Sequence, residues 1–196
     1  MRKKLITAVI ALTLVLTSLV GVTVAWLSVK TDPVTNTFSP SNIGLTLTET
    51  TTNYKMVPGL DIAKNPKVTV SNDIDCYVFV KVEEVNDVDT FLSYAIATGW
   101  KLYDSNSETI DTVTNNNYVI YREVEANAGV KEFSILANNK VTVRQTVTKT
   151  QMDTLYNADN SVNTAKQPKL IFTAYAIQKT GFATAAEAWA EAQKLG

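Results

Sequence analysis

Cys76-Tyr77-Val78-Phe79-Val80-Lys81-Val82-Glu83-Glu84-Val85 is almost continuously apolar as far as Val80 and then alternates. A run that is apolar on both sides needs cover on both faces, whereas period-two alternation leaves one face to water. The stretch therefore predicts a strand buried at its start and wet at its end. The residues from Leu170 to Ile177 are apolar on both faces as well and read as a central strand.

Working outward, the same period recurs. Ile43, Leu45 and Leu47 alternate with Gly44, Thr46 and Thr48, which makes a half-buried strand. Val68 to Val70, Tyr118 to Val124, Lys131 to Leu136 and Val141 to Val147 are further strands. Val57-Pro58-Gly59-Leu60 reads as a turn, with Pro fixing φ and Gly supplying a positive φ. Asp87 or Asp89 is a candidate cap for a short helix through Phe91, Leu92, Ala95 and Ile96, and Gln151 to Tyr156 is a candidate helical turn. Thr184-Ala-Ala-Glu187 has the spacing of a capping box and opens a helix over about 184–195 that docks through Trp189. Many short strands between Asn, Asp, Gly and Pro turns predict a mainly β fold, a jelly-roll or Ig-like β-sandwich with a few short helices and the C-terminal helix.

The chain has no histidine and one cysteine, Cys76. Without imidazole there is no Ser-His-Asp, Cys-His or HExxH site, and one thiol forms no internal disulfide. Cys76 reads as a small buried core residue, with an intermolecular disulfide as the alternative. No GxGxxG, Walker A or CxxC pattern is present, so no cofactor is expected.

At the N-terminus Arg2-Lys3-Lys4 precede an uncharged run from Leu5 to Val24 that closes on Thr23-Val24-Ala25. A basic start, an apolar stretch and small residues at the end make a secretory signal peptide, 1–25, with cleavage between Ala25 and Trp26. The run is also long enough to span a bilayer, so an uncleaved anchor is the alternative. Residues 1–25 carry three of the 18 Lys and Arg and none of the 19 Asp and Glu, so their removal leaves a net charge of −4. That balance argues against a nucleic-acid partner, and the membrane is met only through the N-terminal segment. The reading is an extracellular or cell-surface protein with an N-terminal segment 26–42 and one domain over 43–196. No sorting signal of the LPxTG kind is expected at the C-terminal end.

Two oxygen-rich loops, Asn72-Asp73-Ile74-Asp75 and Asn86-Asp87-Val88-Asp89, suit turns and caps and fall short of a full calcium loop. Glu83 and Glu84 are neighbours on a strand and point to opposite faces, which makes a poor acid–base pair. No catalytic residue and no metal ligand is assigned. The segment Trp26 to Phe38 has two readings. Its apolar residues Trp26, Leu27, Val29, Val34 and Phe38 form the domain's own first strand, or they pair with a sheet edge of a neighbouring subunit.

These residues resemble the TasA/camelysin family of exported matrix proteins of Gram-positive bacteria, which are matured by a SipW-type signal peptidase. The resemblance rests on Arg2-Lys3-Lys4 and on Gly21-Val-Thr-Val-Ala25-Trp26-Leu27-Ser28, close to that family's Gly-Gly-Thr-x-Ala-aromatic-Phe-x-Asp junction. It continues through Asn36-Thr37-Phe38, Ile43 to Glu49, Val57 to Ile62, and Asn72 ahead of Tyr77 to Val82. Val22, Leu27, Lys30 and Thr31 depart from the pattern, and beyond about residue 85 the likeness is one of strand pattern.

The resemblance implies a jelly roll and a biofilm-matrix fibre, a homopolymer in which the N-terminal strand of one subunit completes the sheet of the next. That gives the donor role to Trp26 to Phe38. Camelysin is classed as a metallopeptidase, and the lack of histidine argues against carrying that activity to this chain. The expectation is therefore a non-enzymatic structural protein. A camelysin-like or carboxylate-based hydrolase and a membrane-tethered monomeric module stand as alternatives.

Overall fold

The computed structural model of the chain describes residues 2–3, 41–50, 54–103 and 117–195. Met1–Ser39 and Pro40–Gly196 are two separate units. Ala25, Trp26, Leu27, Val29, Val34 and Phe38 lie outside the described residues, as do the cleavage site and the candidate membrane span. Among the described residues no helix is long and apolar enough to cross a membrane.

The second unit is mainly β. Its strands are β1 (Ile43–Thr48), β2 (Asp61–Ala63), β3 (Lys67–Asn72), β4 (Cys76–Val85), β5 (Leu92–Ser93), β6 (Lys101–Tyr103), β7 (Asn117–Val124), β8 (Asn127–Ser134), β9 (Lys140–Val143) and β10 (Lys169–Gln178). The helices are α1 (Val88–Phe91), α2 (Lys149–Asp153) and α3 (Ala185–Ala192). The strands form three antiparallel sheets in the orders β1-β3-β8, β10-β4-β7-β6 and β2-β9-β5.

The four-stranded sheet has both faces covered, and the sequence explains how. On β4, Cys76, Val78, Val80 and Val82 join a core shared with Val68 and Val70 of β3 and Val141 and Val143 of β9. The alternate residues Tyr77 and Phe79 join Tyr121 and the α3 residues Ala185, Ala188, Trp189 and Ala192. Strand alternation thus divides β4 between two apolar layers, while Val85 is exposed, as the pattern predicts. The first strand also follows its pattern, with Ile43, Leu45 and Leu47 against the core.

Local signals account for the turns. Gly59 has φ +83° in the turn closed by Leu60 N–H donating to Val57 O at 3.1 Å. Thr184 accepts from Glu187 N–H at 3.2 Å, and the Glu187 carboxylate reaches back one residue further than a capping box requires, to Ala183 N–H at 2.8 Å. A complete box, not anticipated, forms between Thr148 and Gln151 at the start of α2.

The structure corrects three expectations. The helix expected through Ile96 stops at Phe91, because Leu92 turns extended and pairs with Val143 of β9. Asp87 precedes it at φ 52° without a side-chain cap. The strand expected from Val141 to Val147 ends at Val143, where Arg144 N–H turns to Phe91 O at 2.8 Å. The third correction matters most: β10, read as a central strand, is the outermost strand of its sheet among the described residues.

Candidate functional site

Strand β10 pairs along its whole length with β4, from Lys169 opposite Val85 to Gln178 opposite Cys76. Among the described residues its other edge has no ladder partner. β1, itself an outermost strand, comes within 8 Å of it between Cα atoms without forming a ladder. Between Lys169 and Gln178 the strand carries no charge, no Pro and no Gly. Charges, lysine above all, and Pro are devices with which soluble proteins blunt a sheet edge, and β10 carries one such residue, Lys169 at its start.

Each end of β10 opens on a groove. At its C-terminal end Ser41 and Ile43 face Ala176, Ile177 and Phe182 across a cavity of about 550 Å³. The chain therefore enters β1 beside the end of β10. At its N-terminal end a groove of about 510 Å³ runs between Leu170 and Ile171 on one side and Met56, Ile62 and Val162 on the other. Ile171 is 43% exposed and Val162 54% exposed.

The second groove holds a buried ion pair. Lys64 Nζ lies 2.8 and 3.0 Å from the two oxygens of Glu49, with side-chain exposures of 10% and 16%. The Tyr54 hydroxyl donates to Glu49 Oε1 at 2.8 Å. The Lys64 ammonium also lies 5.2 Å from the Tyr54 ring centroid and 5.5 Å from that of Phe172, so its charge is satisfied on several sides. Burial, and then the bond to Glu49, push the Tyr54 phenol upward, so it stays protonated at neutral pH. The trio ties the loop after β1 to the base of β10, and it offers no free nucleophile.

Asp73 and Asp75, the acids of the first expected loop cluster, are spent on backbone. Asn42 N–H donates to Asp73 Oδ1 at 2.8 Å and Ala126 N–H to Asp75 Oδ1 at 2.7 Å. The Asn72 amide donates to the carbonyls of Ile74, Val124 and Glu125, pinning the β3–β4 corner to the end of β7. The Asn86 amide donates to the carbonyls of Ala165 and Gln167. No three His, Cys, Asp or Glu residues gather as a metal site among the described residues. Glu83 bonds Lys81 on one face of β4, while Glu84 accepts from the Tyr94 hydroxyl on the other. Cys76 is fully buried, and burial pushes its thiol up to about 11.

Sequence reasoning missed Lys64, Glu49 and Tyr54. Nothing in a local pattern marks a pair fifteen residues apart that meets only through the fold. Comparison with protein-family models, with curated proteins and with solved structures gives no match. The site is therefore defined by its geometry: a sheet edge without a ladder partner among the described residues, uncharged from Leu170 to Ile177, with a groove at each end.

Proposed function

We propose that this is a secreted structural protein, a cell-surface or matrix fibre subunit that self-assembles by strand addition. In this reading the segment Trp26 to Phe38 of one copy pairs with β10 of the next, on a domain of jelly-roll kind. A single observation carries it: β10 is long, largely apolar on both faces and, among the described residues, without a ladder partner along one edge. Backbone N–H and C=O groups on such an edge are a template for another extended chain. The groove beside Ile177 and the one beside Ile171 would receive alternate side chains of the added strand, among them Trp26, Leu27, Val29, Val34 and Phe38. A head-to-tail contact of this kind propagates as a filament when its rotation does not close. Export would involve a SipW-type peptidase acting between Ala25 and Trp26.

The test compares protein beginning at Trp26 with protein beginning at Ser39, by light scattering and electron microscopy over a range of concentration and pH. Fibres are expected only from the first. They should form more readily on acidification, because protonating carboxylates relieves the net charge of −4. Identical monomeric behaviour of both forms would refute the reading.

A further inference from the structure

Arg122 lies on β7 in the row of Ile120 and Val124, which point into the shared core. Its guanidinium carbon is 3.7 Å from the centroid of Phe133 and 5.3 Å from that of Trp100. The two rings stand edge to face at 81°. Trp100 is fixed by its indole N–H donating to Ser134 O at 2.8 Å. Gly99, at φ +92°, lets the backbone pass directly against the guanidinium; a Cβ there would sit 3.0 Å from Nη2. The cation is thus held in a fitted aromatic cradle.

What the cradle lacks is a counter-ion. Nε of Arg122 is buried without a hydrogen-bond partner, and among the described residues no carboxylate lies within ion-pair distance of the guanidinium. Burial alone acts on its ionisation, pulling it below the usual arginine value. The guanidinium as a whole is half-buried and faces the cleft, and its fork fits a carboxylate bidentately.

Arg122 opens on a cleft of about 370 Å³ that Asp75, Glu123, Glu125, Lys131 and Lys179 also line. Of the other lining charges, Glu123 and Lys179 are ion-paired, whereas Asp75 and Lys131 bond neutral backbone groups. Lys179 and Lys101 both pair with Glu123, Asp75 accepts from Ala126 N–H, and Lys131 Nζ donates to Glu125 O at 2.7 Å. The three acids and three cations of the lining sum to zero, so a single carboxylate is opposed less than a dianion.

We propose that this cleft binds a small carboxylate ligand, held through its carboxylate by Arg122. The cleft lies at the far end of β7 from the β6–β7 loop and draws on none of the residues of the β10 edge, so the proposal stands independently of self-assembly.

The experiment follows the arginine Nε–Hε signals of ¹⁵N-labelled exported protein during titration with sodium acetate and sodium glucuronate. Sodium chloride at matched ionic strength and inorganic phosphate serve as comparisons. Both carboxylates should shift the Arg122 signal saturably and leave Arg144 unmoved, and glucuronate should bind more tightly because it fills more of the cleft. Arg122→Lys keeps the charge and loses the fork, so affinity read through the ligand-dependent change in tryptophan fluorescence should fall roughly ten-fold or more. Its melting curve checks that it is folded. No saturable shift beyond that of chloride would reduce Arg122 to a cation stacked on Phe133 and overturn the proposal. An equal response to phosphate would overturn the carboxylate assignment. A dimer dispersed by acetate would transfer the site to a carboxylate of a second copy and overturn the small-ligand reading.

Discussion

Trp189 meets Tyr175 edge to face, with ring centroids 5.2 Å apart and ring planes at 83°. The contact fixes α3 on one face of β10, and among the described residues the far hydrogen-bonding edge of that strand has no ladder partner. Trp189 also stands 5.2 Å from Phe79, so one side chain clamps the helix across two neighbouring strands. Cover of a face and pairing of an edge are separate matters, and among the described residues only the face has a partner.

Removal of that clamp should be expensive. Trp189→Ala takes a nearly buried indole from the second core layer, and we expect a loss of about 3–5 kcal/mol in urea unfolding. A loss below about 1 kcal/mol would mean that α3 is not held by its tryptophan.

The edge itself can be blocked without touching the core. Ile171→Lys introduces a charge at a position already 43% exposed, so stability should change by less than about 1 kcal/mol. Fibre formation by the protein beginning at Trp26 should be suppressed, because a lysine on an edge opposes strand addition. Undiminished fibres from this variant would move the contact away from β10.

The Glu49–Lys64 pair should show strong coupling. Either Glu49→Gln or Lys64→Met alone leaves a buried charge without its opposite, at a cost of about 3–5 kcal/mol. The two changes together should cost clearly less than their sum in a double-mutant cycle. Simple additivity would show that the ammonium and carboxylate do not depend on each other.

Alkaline stability is set in part by Tyr94 and Tyr118, whose hydroxyls lie 2.8 Å apart. Burial is the leading cause that raises both phenols, Tyr118 to about 12. Raised folded values mean that the contribution is whole below the ordinary tyrosine value near 10 and is lost as pH climbs through the folded values. Unfolding free energy should therefore fall from about pH 10 upward. In Tyr94→Phe that fall should be shallower; an unchanged slope would rule Tyr94 out as a contributor.

Cys76 should resist thiol reagents in the folded protein. It is fully buried, and its thiol is pushed up to about 11, so little thiolate is present at neutral pH. Labelling with a maleimide should be slow in buffer and rapid in denaturant. Fast labelling of native protein, or a reducible dimer, would contradict the burial.

Much of the architecture was written locally. Alternation at Ile43 to Thr48, the double-sided run at Cys76 to Val80, the Pro58-Gly59 turn and the Thr184 cap depend on neighbours within a few residues, so the sequence by itself determined them. The absence of histidine and the single cysteine are likewise facts of composition. Tertiary structure decided what lies beside each element. From Leu170 to Ile177 the shared core covers one face, while α3 covers the Tyr175 and Ile177 end of the other and leaves Ile171 exposed. Side-chain periodicity reports faces and is silent about backbone partners, so a strand apolar on both faces reads like a central one even where, among the described residues, one edge has no ladder partner. The same reason hid the Lys64–Glu49 pair and the unmatched charge of Arg122. A counter-ion, or the lack of one, is a property of three-dimensional neighbours, and only folding brings those together.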